Sequence, residues 1–280
     1  MTKFCHIAPT NFLYLTQQHT HHLLLAHLVE SDAKYRQYYS DLKKENPSYT
    51  FILDNSAFEM YKQGKPMYPG DRLMSLGKAV SADYIVMSDY PNEDKEKTID
   101  ACLELGPVFK QEGFGTFFVP QSKIGDLQEY IECFSWAASS ILVDYIGVSI
   151  LGVPNAFGVE RGNTLQRFVS RWRMMGFLER LGILDTCWQN NKLIHFLGMV
   201  DGPNEISLIR ERYYVDTWDS SAAIWCGLND ICFDTSPTGL INGKFEKEVD
   251  FNFESESRTL VNNAINNIIY IDKLCEERLQ

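Results

Sequence analysis

Short runs of β-branched and aromatic residues recur along the chain, and each is followed by a longer stretch with helical periodicity. This alternation is typical of a parallel sheet whose crossover connections are helices. We predict strands at Phe4–Ala8, Thr50–Leu53, Tyr84–Met87, Thr116–Val119, Tyr145–Val148, Leu193–Leu197 and Tyr213–Thr217, with an eighth in Ala222–Trp225. Because no Gly-rich turn follows the first strand, the pattern favours a (β/α)8 TIM-type barrel over an open doubly wound sheet.

The segments between these runs have the apolar spacing of amphipathic helices. The predicted helices are His21–Lys44, Asp71–Val80, Lys95–Glu112, Ile124–Ala138, Thr164–Leu184, Glu205–Arg212 and a closing helix Leu260–Leu274. Neither an internal repeat nor a linker divides the sequence. We therefore expect residues 1–280 to form one barrel domain, with residues 246–280 as an acidic extension and closing helix.

The composition is that of a folded protein, and its acidity restricts the partners. Of the 280 residues, 45% are hydrophobic, and the formal net charge is −11. A nucleic acid would therefore have to meet a local basic patch. The densest basic segment holds Arg161, Arg167, Arg171, Arg173 and Arg180. We interpret its arginines as candidate phosphate contacts; the alternative is a solvated helix face above apolar side chains.

Targeting, membrane and metal signals are weak in this sequence. The amino terminus lacks a basic segment followed by an apolar run, and no stretch approaches 18 apolar residues, so a cytoplasmic location is expected. The seven cysteines are scattered, which favours reduced thiols. No cofactor and no metal site are predicted, and the oligomeric state stays open.

Polar residues follow the predicted strands at the points where a barrel would gather them. In such a barrel the carboxyl ends of all strands face one mouth. The residues there are Asp54, Asp89, Gln121, the segment Gly147–Gly152, Gly198 and Asp219. Carboxylates that share a pocket acquire different pKa values, so that one can serve as nucleophile and another as acid or base. Each aspartate alone also fits an ordinary helix cap or turn.

Six short motifs, in order, resemble those of the tRNA-guanine transglycosylases and of their phage and bacterial relatives that insert 7-deazaguanine bases into DNA. The motifs are Leu53–Glu59, Ser88–Pro91, Pro120–Ser122, Gly147–Ile150, Ile194–Met199 and Val215–Ser220. The resemblance implies that Asp219 is the nucleophile and that Asp54 assists as acid or base near the ribose. The implied base contacts are Asp89, Gln121, Gly147, Ser149 and Gly198, with Phe58 and Tyr90 as candidates to stack on the base.

The sequence also departs from this family. The tRNA enzymes carry a zinc site of three cysteines and a histidine, whereas here only Cys226 and Cys232 follow Asp219 closely, so a barrel without that zinc site is expected. This favours DNA over tRNA as the partner, with a 7-deazaguanine such as preQ0 or preQ1 as the second substrate. The alternatives are a tRNA-guanine transglycosylase, a nucleoside or base glycohydrolase, another barrel enzyme such as an aldolase, and a noncatalytic nucleic-acid-binding relative.

Overall fold

The fold is a (β/α)8 barrel, as the sequence pattern predicts. The computed structural model describes residues 1–160, 162–199, 202–235 and 256–276. Its eight parallel strands are β1 (Lys3–His6), β2 (His21–Leu25), β3 (Thr50–Asp54), β4 (Tyr84–Val86), β5 (Gly115–Phe118), β6 (Tyr145–Ser149), β7 (Leu193–Leu197) and β8 (Thr217–Ser220). They pair in the order β1-β8-β7-β6-β5-β4-β3-β2, which leaves β1 and β2 side by side at the seam of a nearly closed barrel.

Helices surround the strands. They are α1 (Ala26–Ser31), α2 (Ala33–Glu45), α3 (Ala57–Gln63), α4 (Gly70–Val80), α5 (Lys95–Gln111), α6 (Leu127–Ser139), α7 (Gly152–Ala156), α8 (Thr164–Arg180), α9 (Ile183–Gln189), α10 (Pro203–Arg210), α11 (Ala222–Leu228) and α12 (Arg258–Glu276). The closing helix α12 packs against α10, α11 and β1. Within the described ranges, no helix is long and apolar enough to cross a membrane.

The strands bury side chains on both faces. Alternate residues point into the barrel, where Cys5, Ile52, Val86, Phe117 and Tyr145 belong to one cluster. The intervening residues point outward and join the larger core between sheet and helices. This alternation follows from the two-residue period of a strand, and it decides which polar side chains face the barrel interior.

Two of the predicted strands, and the start of the first predicted helix, are wrong. The structure places β2 at His21–Leu25, inside the predicted first helix, and places β8 at Thr217–Ser220 rather than at Tyr213–Thr217. The predicted eighth strand Ala222–Trp225 lies in α11. No turn residue separates Leu25 from the helix that starts at Ala26, so the apolar run appears continuous and helical in the sequence.

Three aspartates form hydrogen bonds between neighbouring strands at the amino-terminal end of the barrel. Asp83, Asp144 and Asp216 each stand directly before an even-numbered strand, and each accepts a hydrogen bond from a backbone N–H in or next to the preceding strand. The three acceptor distances are 2.7 Å from Phe51 N, 2.8 Å from Thr116 N and 2.8 Å from Ile194 N. These carboxylates therefore stabilise strand register far from the mouth.

Candidate active site

The carboxyl ends of the strands bring the three predicted aspartates into one electrostatic environment. Asp54 ends β3, Asp89 follows β4, and Asp219 lies in β8 with its Cα in register with the inward-facing Cys5. The pKa of Asp54 is raised well above its usual value by burial, then by the charge of Glu59, and further by Asp219 and Asp89. The mouth therefore concentrates negative charge from residues far apart in the sequence.

Asp219 is held from one side only. Its Oδ1 atom accepts hydrogen bonds from His195 Nε2 at 2.9 Å and from the Gly198 backbone N–H at 3.2 Å. Its Oδ2 atom has no hydrogen-bond partner among the residues that the structure describes. The residue is only 6% exposed, so these two hydrogen bonds and the surrounding packing hold the carboxylate in one orientation. This is the arrangement that a carboxylate nucleophile requires.

His195 lies beneath Asp219 inside the barrel and is fully buried. Its Nδ1 atom is 2.6 Å from Thr217 Oγ1, while its Nε2 atom faces Asp219. Because a carboxylate oxygen accepts, His195 Nε2 is the donor of this hydrogen bond, which directs the ring toward Asp219. Aromatic contacts with Phe117 and Tyr145 fix the plane of the ring.

Asp89 lies between two amide side chains. Asn55 Nδ2 donates to Asp89 Oδ1 at 2.8 Å, and Gln121 Nε2 donates to Asp89 Oδ2 at 2.6 Å. Burial raises the pKa of Asp89 to about 6, and these two hydrogen bonds limit the rise. Each carboxylate oxygen keeps further acceptor capacity, so the group can still receive N–H donors from a ligand.

A strained turn presents Asp54. Ser56 is buried and adopts a left-handed conformation with φ 56°, while its backbone N–H donates to Asp54 Oδ2 at 2.8 Å. The Ser56 hydroxyl lies 2.9 Å from His27 Nδ1 and accepts from the His27 backbone N–H at 3.2 Å. A non-glycine residue in the left-handed conformation costs conformational free energy unless surrounding contacts stabilise it. The hydrogen bonds with His27 stabilise Ser56 in this conformation.

The predicted glycine and serine contacts mostly serve the scaffold. Gly147 lies in β6, where an added Cβ would be 2.7 Å from Phe117 and 2.9 Å from Leu197, so packing inside the barrel requires the glycine. Gly198, with φ 70°, directs its N–H to Asp219. The Ser149 hydroxyl accepts from the backbone N–H groups of Leu151 and Gly152 and shapes the loop after β6.

The two candidate stacking residues differ in their surroundings. Phe58 is 41% exposed on the first turn of α3. Tyr90 is partly buried, and the Lys97 ammonium lies 4.5 Å from its ring centroid. Phe58 is therefore the more exposed of the two aromatic rings.

The predicted nucleic-acid contact at Arg171 is wrong. Its side chain is completely buried and forms an ion pair with Glu205, through Nε at 2.7 Å and Nη2 at 2.5 Å. The guanidinium also donates to the carbonyl oxygens of Val148, Leu197 and Gly198. Every donor is therefore used inside the protein, and Arg171 braces the ends of β6 and β7 beneath the mouth.

The other described arginines of the basic segment lie nearer the surface. Arg173 is exposed and stacks on Phe157, with the guanidinium carbon 4.6 Å from the ring centroid. Arg167 is partly buried near the start of α8. Arg161 lies outside the described residues. Arg167 and Arg173 thus remain candidates for phosphate contacts, whereas Arg171 does not.

Sequence reasoning missed His195, Asn55 and Glu205, which hold Asp219, Asp89 and Arg171. A signal existed for His195, since it lies two residues before Leu197 in a strand with a period of two and therefore shares the interior face. Arg171 also carried a signal: it precedes the buried Met174 and Leu178 at helical spacing, which predicts a position on the core side of α8.

Two clusters in the described part of the chain place three potential metal ligands within 4.8 Å of one another. One is Asp94, Glu96 and Glu129, of which the first two are exposed. The other is His6, His19 and Asp272 beside α12.

Comparison with known proteins supports the fold and nothing finer. No protein-family model and no curated protein sequence matches the chain. A structure of active domain 2 of the chitinase from Pyrococcus furiosus matches with a TM-score of 0.52 and 9% identity, covering 99% of this chain and 97% of that one. The citrate synthase SbnG matches with a TM-score of 0.48 and 12% identity, covering 82% and 91% of the two chains.

A citrate lyase from Burkholderia xenovorans LB400 matches with a TM-score of 0.46 and 11% identity, covering 71% of this chain and 72% of that one. At 9% identity, the chitinase match supports a shared architecture only. The chain is therefore defined as a (β/α)8-barrel protein with an acidic, partly buried mouth at the carboxyl ends of its strands.

Proposed function

We propose that this protein is a base-exchanging transglycosylase that replaces guanine in DNA with a 7-deazaguanine, using Asp219 as a covalent nucleophile. The observation that carries the proposal is the one-sided anchoring of Asp219, with Oδ1 bound to His195 and Gly198 and no hydrogen bond to Oδ2 from the described residues. The proposal also draws on the ordered motifs that resemble the transglycosylase family. It assigns enzymatic activity to a fold that hosts many chemistries.

In this mechanism Asp219 Oδ2 attacks C1′ of a deoxyguanosine from the face opposite the base. The bond from C1′ to N9 breaks, and guanine leaves with its electron pair and takes up a proton. A 7-deazaguanine such as preQ0 or preQ1 then enters, loses a proton and displaces the carboxylate, so that two inversions retain the β configuration. Asp54, whose raised pKa favours the protonated form, is suited to exchange protons with the departing and entering bases.

Asp89 is assigned to base recognition. Its carboxylate is fixed by Asn55 and Gln121 and can accept hydrogen bonds from the N1–H and the exocyclic amine of a guanine or deazaguanine. The target nucleotide has to leave the duplex stack or come from a single strand, at a cost of a few kcal/mol. Phosphate contacts from Arg167 and Arg173 would offset part of this cost.

The experiment is base exchange with a matched pair of variants. Labelled DNA is incubated with purified protein and candidate deazaguanines, after which adducts are trapped by denaturation and the DNA is digested to nucleosides. We expect Asp219→Asn to lower exchange on the order of 10³-fold or more and to remove the covalent adduct. The control is Asp216→Asn, three residues earlier at the opposite end of the barrel, whose folding is verified first. This variant should retain both the exchange activity and the covalent adduct.

Full exchange activity in Asp219→Asn would contradict the nucleophile assignment. Guanine release without incorporation would indicate a glycohydrolase. Binding without release would indicate a noncatalytic relative, and exchange in tRNA but not in DNA would replace the proposed substrate.

A further inference from the structure

A second cluster of chemically active side chains lies on the outer face of the barrel. His6 ends β1 and points away from the interior, His19 lies in the loop before β2, and Asp272 belongs to α12. His6 Nε2 is 3.0 Å from Asp272 Oδ1, and His19 Nε2 is 3.0 Å from Asp272 Oδ2. The cluster thus joins three elements beside the seam between β1 and β2.

The spacing of these atoms fits a metal ion. Each of the three residues offers one ligand atom, and these atoms lie within 4.8 Å of one another. A first-row metal about 2.1 Å from each atom would place neighbouring ligand atoms about 3.0 Å apart at right angles and about 3.4 Å apart in a tetrahedron. Two imidazoles and one carboxylate form a donor set that suits zinc and the other borderline divalent ions.

The surroundings of His19 set its tautomer for such an ion. His19 Nδ1 lies 3.1 Å from the Thr16 carbonyl oxygen, which only accepts, so Nδ1 carries a proton. In the neutral imidazole, Nε2 then presents a lone pair to the Asp272 carboxylate. That pairing is repulsive unless a cation, either a proton or a metal ion, lies between the two groups. A backbone carbonyl on the distal nitrogen is also the usual partner of a metal-bound histidine.

The loop that carries His19 is held independently. His22 Nε2 donates to the His19 carbonyl oxygen at 2.7 Å, and the His19 backbone N–H donates to Thr16 O at 3.0 Å. The His6 side chain is fully buried, whereas that of Asp272 is 33% exposed. His6 Nδ1 has no hydrogen-bond partner in the described ranges, so no contact there restricts which His6 tautomer is present.

We propose that His6, His19 and Asp272 form a binding site for a zinc-class divalent metal ion, with water completing the coordination. The ion would clamp α12 onto β1 and the loop before β2, where no backbone ladder closes the barrel between β1 and β2 among the described residues. The site is separate from the mouth, because His6 points outward while Cys5 points inward beside Asp219. The proposal is independent of the reaction assigned to Asp219.

The primary test is titration of the chelator-stripped full chain with Co²⁺, followed by its visible absorption, and then competition with Zn²⁺. We expect one saturable site per chain. His19→Gln and Asp272→Asn should each weaken Co²⁺ affinity at least about 10-fold. His21→Gln is the matched control, since His21 lies two residues along the same segment and is bonded to Thr20 rather than to the cluster.

Thermal unfolding gives a second readout. At a Zn²⁺ concentration 100-fold above Kd, Tm should rise by roughly 5 °C in the wild type and in His21→Gln but not in His19→Gln. Hydrogen exchange should slow in α12 when Zn²⁺ is added. Absence of saturable Co²⁺ binding to the wild type would overturn the proposal, as would affinity unchanged in both cluster variants. In that case His19 and Asp272 form a proton-mediated ion pair only.

Discussion

The two ends of the barrel use aspartates in opposite ways. At the amino-terminal end, Asp83 and Asp144 each bind a lysine, Lys43 and Lys110, in addition to a strand N–H. At the mouth, Asp54, Asp89 and Asp219 have no lysine or arginine partner within the described ranges. They are held by amides, backbone N–H groups and one imidazole.

The pKa values follow this difference in part, since burial raises the pKa of Asp216 at the amino-terminal end as well. The pKa of Asp144 is lowered, because its hydrogen bonds with Lys110 and Thr116 outweigh its partial burial. The pKa values of Asp54 and Asp89 are raised by burial. Carboxylates that are buried without a cation reduce the stability of the fold, which is typical of sites kept for binding or catalysis. Arg171, a fully buried cation near the mouth, is paired with Glu205.

The largest expected effect is on Arg171. Arg171→Met would leave the Glu205 carboxylate buried without its cation. Glu205 would then resemble the mouth carboxylates, which also have no cationic partner, but its side chain is completely buried. We expect a loss of about 3–5 kcal/mol in the free energy of unfolding, measured by urea denaturation.

Two controls separate charge from packing at this site. Arg173→Met, on the exposed face of the same helix, should change stability by less than about 0.5 kcal/mol. The double variant Arg171→Met with Glu205→Met should recover much of the loss, since no unpaired charge remains. A double variant no more stable than Arg171→Met would show that shape rather than charge pairing explains the cost.

The sequence was sufficient to predict the barrel and the positions of the mouth residues. Strand ends can be located from apolar runs, and the barrel topology then gathers them, so Asp54 and Asp89 follow from periodicity. Asp219 was also placed at the mouth, although the strand predicted before it, Tyr213–Thr217, lies too early in the sequence. β8 was misplaced because its residues Trp218, Asp219 and Ser220 are buried as a group, although two of them are polar. Hydrophobicity does not reveal a strand that lines a polar interior.

The roles of individual side chains were harder to predict. Arg171 and Glu205 are 34 residues apart and meet only because β7 and α10 return beneath α8. His19 and Asp272 are 253 residues apart, so no local pattern links them. Contacts of this kind depend on the folded topology, and a single sequence carries no periodic signal for them.

The next effect concerns the pH dependence of stability. The folded pKa of Asp89 is about 6, above its usual value of 3.8, so between pH 4 and 6 the folded state holds a proton that the unfolded state has lost. Its contribution to stability therefore increases as pH falls through this window, by on the order of 3 kcal/mol. Histidines with a lowered pKa, such as His22 at about 4, act in the opposite direction.

Comparison with Asp89→Asn isolates this contribution. The histidine contribution is the same in both proteins and cancels in the difference between their unfolding free energies. From pH 7 to pH 4 this difference should change in favour of the wild type, because only the wild type gains from protonation of Asp89. A difference that stays flat across this range would mean that Asp89 titrates normally and that the mouth is more open to water than its burial indicates.

The smallest expected effect is the most direct comparison between the two ends. Asp144→Asn should lower the free energy of unfolding by about 1–3 kcal/mol at pH 7, since it removes the Lys110 ion pair and weakens the bond from Thr116 N. Asp54→Asn should leave stability unchanged or raise it, because an amide oxygen can still accept from Ser56 N, while folding no longer has to bury a carboxyl whose pKa is raised by burial and by Glu59. Both are measured by urea denaturation at pH 7. Equal losses in the two variants would remove the distinction between scaffold and mouth carboxylates, because Asp54 would then be stabilising the fold as Asp144 does.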